Sequence, residues 1–192
     1  MSHEETARKS YEFARQEYIQ RIQLREYILL AFLGAVATIF GIALGTQAKP
    51  EILLIVPYLA LGATVLTIHH HGAIRAIAQF LDYELGPFLS SIGADAPQWD
   101  NSKAIKEFLP KANRLRTLGY FLLIIVPALA SLLIMWSYRL HAVLWLKLLW
   151  WFGVLTSLLS TALVIVNHVG LKRLNQVSFS VDSKDAQVSP GA

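Results

Sequence analysis

Four long apolar stretches, residues 27–45, 52–68, 119–137 and 148–166, constrain this chain more than any other feature, and none of them contains a charged side chain. A helix needs about 20 mostly apolar residues to cross a bilayer, with a usual range of roughly 17–25, and each stretch meets that length. With 55% hydrophobic residues and a mean hydropathy of +0.46 over 192 residues, the composition is too apolar for an ordinary soluble domain. The predicted fold class is therefore an all-α integral membrane protein with four transmembrane helices. The first two are expected to extend into cytoplasmic amphipathic stalk helices.

Five segments follow from this pattern. Residues 1–26 form an N-terminal stalk helix and 27–68 the first transmembrane hairpin. Residues 69–114 hold a second stalk helix, a loop and a short helix, 115–166 form the second hairpin, and 167–192 are a polar tail. Tyr11, Ala14, Tyr18 and Ile22 recur at helical spacing, and no Pro or Gly interrupts the chain before Gly34. One continuous helix over 4–45 is expected, about 60 Å long at 1.5 Å per residue. The second span overruns its apolar stretch in the same way, with Ile74, Ile77, Ala78, Leu81 and Leu85 on one face before Gly86-Pro87 ends it. Tyr11, Tyr18, Ile22, Ile74, Ile77, Leu81 and Leu85 are the expected stalk interface. Ser102 is a helix-cap candidate for a short helix over 103–109, and Pro110 should end it. Beyond Leu174 the Ser-rich, polar sequence lacks an apolar stripe and reads as largely disordered.

Orientation follows from the basic residues, which are retained on the cytoplasmic side during insertion. Of 17 Lys and Arg, only Lys49, Arg139 and Lys147 fall in the two short hairpin connections. Both termini and the middle segment are thus expected in the cytoplasm of a cell with the protein in its inner (plasma) membrane. Trp136, Tyr138, Trp145, Trp150 and Trp151 gather at the opposite, outer end, where amphipathic rings favour the interface. The N-terminus carries no signal-peptide pattern, so the first span is expected to serve as its own anchor.

Small residues mark two helix faces: Gly34, Thr38, Gly41 and Gly45 in the first span, and Gly153, Thr156, Ser157, Ser160 and Thr161 in the fourth. Helices associate in lipid by close packing at such residues, because lipid tails supply no hydrophobic drive between them. Packing within one bundle is one reading; a subunit interface or pore lining is the other. Pro57 and Pro127 lie inside apolar stretches and are expected to kink their helices. At the inner membrane surface Arg25, His69, His70, His71, Arg116, His168, Lys172 and Arg173 form a basic and histidine collar. Its plain reading is contact with anionic lipid head groups, and its sharper ones are a phosphate-bearing ligand or pH sensing.

Enzymatic chemistry finds no pattern here. Asp82 and Glu84 point to different sides of a helix, and consecutive histidines fan out by about 100° per residue, so they do not converge on one metal ion. No cofactor, metal or nucleic-acid partner is expected, since the net charge of +4 is accounted for by membrane orientation. With no cysteine, disulfides and thiolate sites are excluded.

The charged helix running into a span, RIQLREYILLAFLGAVATIFG, and the span running into a cytoplasmic helix, IHHHGAIRAIAQFLDYELGPF, resemble small bacterial membrane proteins of the SLATT type. The resemblance covers about residues 15–90 and lies in the layout. It implies a membrane effector of an anti-phage defence system that forms a pore. Four-span subunits of other bacterial defence systems are similar in plan and imply instead a sensor or anchor for a cytoplasmic effector. A homo-oligomeric pore or channel is accordingly the first expectation. A non-conducting scaffold or sensor that recruits a cytoplasmic protein is the second.

The absence of native cysteine makes topology directly testable. Asn101→Cys should react with an impermeant maleimide only after the inner membrane is opened, whereas Lys49→Cys should react in intact spheroplasts; the reverse pattern overturns the orientation.

Overall fold

A computed structural model describes residues 3–45, 49–91, 115 and 118–185. The described residues are helical, with no strand among them. Helix α1 runs without a break over His3–Leu44. Helix α2, Val56–Gln79, is entered through a 3₁₀ turn at Pro50–Ile55 and continues through a π-helical turn, Phe80–Leu85, into the short α3, Gly86–Ser91. A second π-helical turn, Phe121–Ile125, leads into α4, Val126–His141, and α5 spans Leu144–Asp185. Four continuous helical stretches among the described residues, Glu5–Leu44, Pro50–Ser91, Leu118–Leu140 and Leu144–Asn167, are long and apolar enough to cross a membrane.

Each irregular turn ends two residues before a proline: Ile55 before Pro57, Leu85 before Pro87, and Ile125 before Pro127. Proline has no N–H to give the carbonyl four residues earlier, and its ring collides with that carbonyl. Changing the local hydrogen-bond step to three or five residues moves the carbonyl aside without breaking the rod. Pro57 thus stands in the first turn of α2, after a 3₁₀ entry, rather than in the middle of a regular helix. The backbone stays helical through Asp185, well past Leu174, because helical hydrogen bonding needs no apolar stripe to continue from a formed helix. Residues 46–48 of the first turn and the segment holding Ser102, 103–109 and Pro110 lie outside the described residues.

Helix α2 is the element against which α1, α4 and α5 all pack. One apolar cluster joins Leu29, Phe32 and Val36 of α1 to Val56, Ala60 and Ala63 of α2 and to Ile124, Ile125 and Ala128 of the third span. A second, toward the Trp-rich end, joins Ala43, Leu53, Leu54, Leu132, Met135 and Trp150. A third cluster holds the two helical extensions together, with Ala7, Tyr11 and Ala14 against Ile77, Leu81, Leu85 and Leu89. Tyr18 and Ile22, placed with Tyr11 on the expected interface, are half-buried.

The outward surface is as apolar as the interior: Leu30, Ile42, Val65, Leu66, Leu122, Leu133, Leu155, Leu158 and Ile165 are all exposed. Holding a Leu or Ile in water rather than in an apolar medium costs about 1.5–3 kcal/mol, so this exterior suits lipid. Contacts between helices therefore rely on close approach and on polar ties. A Cβ placed on Gly153 would stand 3.1 Å from Leu132 Cδ2 and 3.4 Å from Pro57 Cγ. Tyr58 Oη donates to the Leu149 carbonyl at 3.0 Å, and Trp150 Nε1 donates to the Leu132 carbonyl at 3.1 Å. Arg139 lies over the Trp136 and Trp150 rings, 4.2 and 4.4 Å from their centres, and locks the ends of α4 and α5 together.

Gly153→Val should lower stability in detergent by about 1–3 kcal/mol, the usual cost of overpacking. Gly41→Val, on an open face, should lack that packing penalty. Equal unfolding midpoints for the two variants would contradict the close α2–α4–α5 contact.

Candidate functional site

The inward face of α1 advances through Arg25, Leu29, Phe32 and Val36 in steps of four, three and four residues. That of α2 advances through Ala60, Ala63, Thr64, Thr67, His70, His71 and Ile74. Both faces are apolar toward the bundle centre and apolar again at the extensions, where Leu81 and Leu85 take over. Between these apolar regions lies a buried polar band. Arg25, Thr67, His70 and His71 are each less than a tenth exposed. Tyr120, packed against the inner cluster from the third span, places its ring 5.9 Å from the Arg25 guanidinium.

The band is rich in cations and short of acceptors. Arg25 pairs with the neighbouring Glu26 through Nε at 3.2 Å and through Nη2, yet the arginine side chain is 8% exposed and the glutamate 54%. A carboxylate held mostly in water neutralises a buried guanidinium incompletely. Arg21, one turn earlier, pairs with exposed Glu17 at 2.9 Å. Among the described residues, Thr67 Oγ1, His70 Nδ1 and Arg75 Nη2 are buried without a hydrogen-bond partner. Each such group carries an unmet desolvation cost of about 1–3 kcal/mol, more where it is charged. Thr64 differs, since its hydroxyl donates to the Ala60 carbonyl at 2.8 Å. Burial, with the charges of Arg21 and His69 adding to it, holds the His70 imidazole below the ordinary histidine range.

The expected collar is thereby divided. His69 faces outward, its ring meeting that of His70 edge-on at 5.5 Å, while His70, His71 and Arg25 are buried. The reason is geometric: at 100° per residue, only two of three consecutive histidines fit an inward stripe. His168, Lys172 and Arg173 belong to the backbone of α5, and Arg116 lies outside the described residues.

The small-residue faces divide as well. Gly153, Ser157 and Ser160 are buried inside the bundle, and Thr156 and Thr161 are half-buried. Their hydroxyls donate to carbonyls of their own helix: Thr156 and Ser157 to Gly153, Ser160 to Thr156 and Thr161 to Ser157, at 2.9–3.0 Å. Ser131 does the same to Ala128 at 2.8 Å. Gly34, Thr38, Gly41 and Gly45 instead face outward. The Cβ positions of Gly34 and Gly41 meet nothing within 4 Å, and Thr38 donates to the Gly34 carbonyl at 2.9 Å.

Sequence reasoning overlooked Thr67, Arg75 and Tyr120 as members of the polar band. Thr67, His71 and Arg75 are spaced four residues apart, which marks one row of a helix, but the conspicuous histidine triplet drew attention from it. Tyr120 carried no local signal, because its place beside Arg25 depends on how the third span packs. No protein-family model, no curated protein and no solved structure matches this chain.

Proposed function

We infer that this chain is a non-enzymatic, multi-pass protein of the bacterial inner membrane, with both termini cytoplasmic, that works as a membrane-anchored scaffold or sensor for a cytoplasmic protein. The observation that carries the reading is the pair of helical extensions. Helix α1 and the α2–α3 rod run beyond the apolar stretches and remain packed on each other through Ala7, Leu81 and Leu85. Their outer sides expose Phe13, Ile19, Tyr83 and Phe88, apolar side chains in a region where lipid does not cover them if the basic residues set the orientation. Such a surface suits a folded partner, and the paired rods transmit its binding to the bundle as one body.

A second reading, an oligomeric pore of the kind that acts as a defence effector, draws on the open Gly34–Thr38–Gly41 face of α1. The centre of a single chain is filled by Val56, Ala60, Ile124 and Ala128, so a conduit would run between copies. The hydroxyl row of α5 favours this reading less, since its donors are engaged within the helix.

Two measurements separate the readings. Crosslinking in native membranes should capture a cytoplasmic protein on the wild-type chain and lose it in Phe13→Glu and Tyr83→Glu, with the chain still folded. An unchanged crosslink pattern in both variants would sink the scaffold. Ion flux through liposomes holding the purified chain, abolished by Gly41→Leu, would favour the pore instead.

A further inference from the structure

We propose that the buried polar band between α1, α2 and the third span is a binding site for a phosphate group. Its cationic and donor groups come from two helices. Arg25 reaches it from α1; Thr67 and His70 belong to the buried stripe of α2, and Arg75, whose Nη2 is buried, follows further along the same helix. Along the chain, Thr67, His70 and Arg75 fall between the α2 residues of the inner cluster, which end at Ala63, and those of the extension cluster, which begin at Ile77, and Arg25 falls between the matching α1 residues, Leu29 and Ala14.

The chemistry of the unmet groups selects the ligand. An arginine N–H at Arg75 Nη2 can only donate, the Thr67 hydroxyl can donate, and the His70 imidazole can present its N–H to an anion. A ligand that meets these groups must be negatively charged and able to accept several hydrogen bonds from different directions. A phosphate group has three or more acceptor oxygens and matches the planar fork of arginine in bidentate fashion. Arg25 is already half committed to an anion: it holds the Glu26 carboxylate, which lies largely in solvent and is a side chain that an incoming phosphate can displace. Glu26 then acts as an internal competitor that keeps the empty band from carrying a bare buried charge. The depression of the His70 pKa has the same origin, since burial and Arg21 disfavour another positive charge there, and a bound phosphate would reverse the sign of that influence.

Phosphate at this depth has two sources. One is the head group of an anionic lipid entering laterally between helices at the inner leaflet; the other is a soluble phosphate-bearing metabolite reaching the band from the cytoplasm. Their shared chemistry is what the band recognises, and the two differ in the acyl chains. The inference uses only the polar band, and it holds whether the extensions recruit a partner or the oligomer conducts.

The test uses the full-length chain purified in a non-ionic detergent, with thermal unfolding followed against concentration of two probes. These are inorganic pyrophosphate and dioctanoyl phosphatidic acid, with dioctanoyl glycerol as the phosphate-free control. Saturable stabilisation by at least one phosphate probe, absent with the control, is expected. Stabilisation by pyrophosphate as well as the lipid identifies a site open to soluble ligands; stabilisation by phosphatidic acid alone identifies a head-group site. The apparent Kd should rise at least tenfold in Arg25→Gln and in Arg75→Gln and stay unchanged in Lys9→Gln, whose side chain is exposed on α1 beyond the band. Glu26→Gln removes the competitor from the surface without opening the core, and it should tighten binding several-fold even if Arg25→Gln proves too unstable to purify. No stabilisation by either probe, or equal affinity in wild type, Arg75→Gln and Glu26→Gln, overturns the proposal.

Discussion

A peptide group buried in apolar surroundings without a hydrogen-bond partner costs several kcal/mol, and this cost bears on every apolar helix of the chain. It permits apolar segments only as helices whose backbone groups bond within the segment. It also explains why the three prolines at 57, 87 and 127 are each preceded by a 3₁₀ or π-helical turn rather than by a break. A break would free several carbonyls and amides at once. A change of hydrogen-bond step absorbs the missing proline N–H within one turn and keeps the rods whole.

Because the exterior and interior of the bundle are equally apolar, hydrophobicity does not tell the helices which faces to join. Shape and a few directional bonds do so. Gly153 lets α5 approach Pro57 and Leu132, Tyr58 and Trp150 tie neighbouring helices through main-chain carbonyls, and Arg139 is stacked on tryptophans at one end. The serines and threonines on these faces satisfy themselves on their own helix, which lets them pack as small, nearly apolar groups. Gly34 and Gly41 are equally small and in the opposite situation, for no described residue lies within 4 Å of where their Cβ would stand.

The polar band is where these rules are locally broken. Among the described residues, Thr64, Ser131, Ser157 and Ser160 are buried and hydrogen-bonded, whereas Thr67, His70 and Arg75 retain unmet capacity and Arg25 is incompletely neutralised. Apolar residues at these positions would join the two α1–α2 clusters into one continuous seam. Places where local consistency fails within an otherwise consistent fold are where function is expected. The band also lies, along both helices, between the residues of the bundle cluster and those of the extension cluster.

The sequence by itself determined the four apolar helices, the unbroken first rod and the apolar stripe through Ile77, Leu81 and Leu85, because length, hydropathy and 3.6-residue periodicity are local properties of the chain. It also marked the prolines, though not whether each would tighten or widen its helix. Only the tertiary structure decided that Gly153 and Ser157 face a neighbour while Gly34 and Gly41 face outward. It likewise decided that His70 and His71 turn inward with Arg25, and that Tyr120 comes to stand beside Arg25. In a chain whose helices are apolar on every side, periodicity cannot say which face is inside. That choice belongs to contacts between segments far apart in sequence, and the candidate site is built from those contacts.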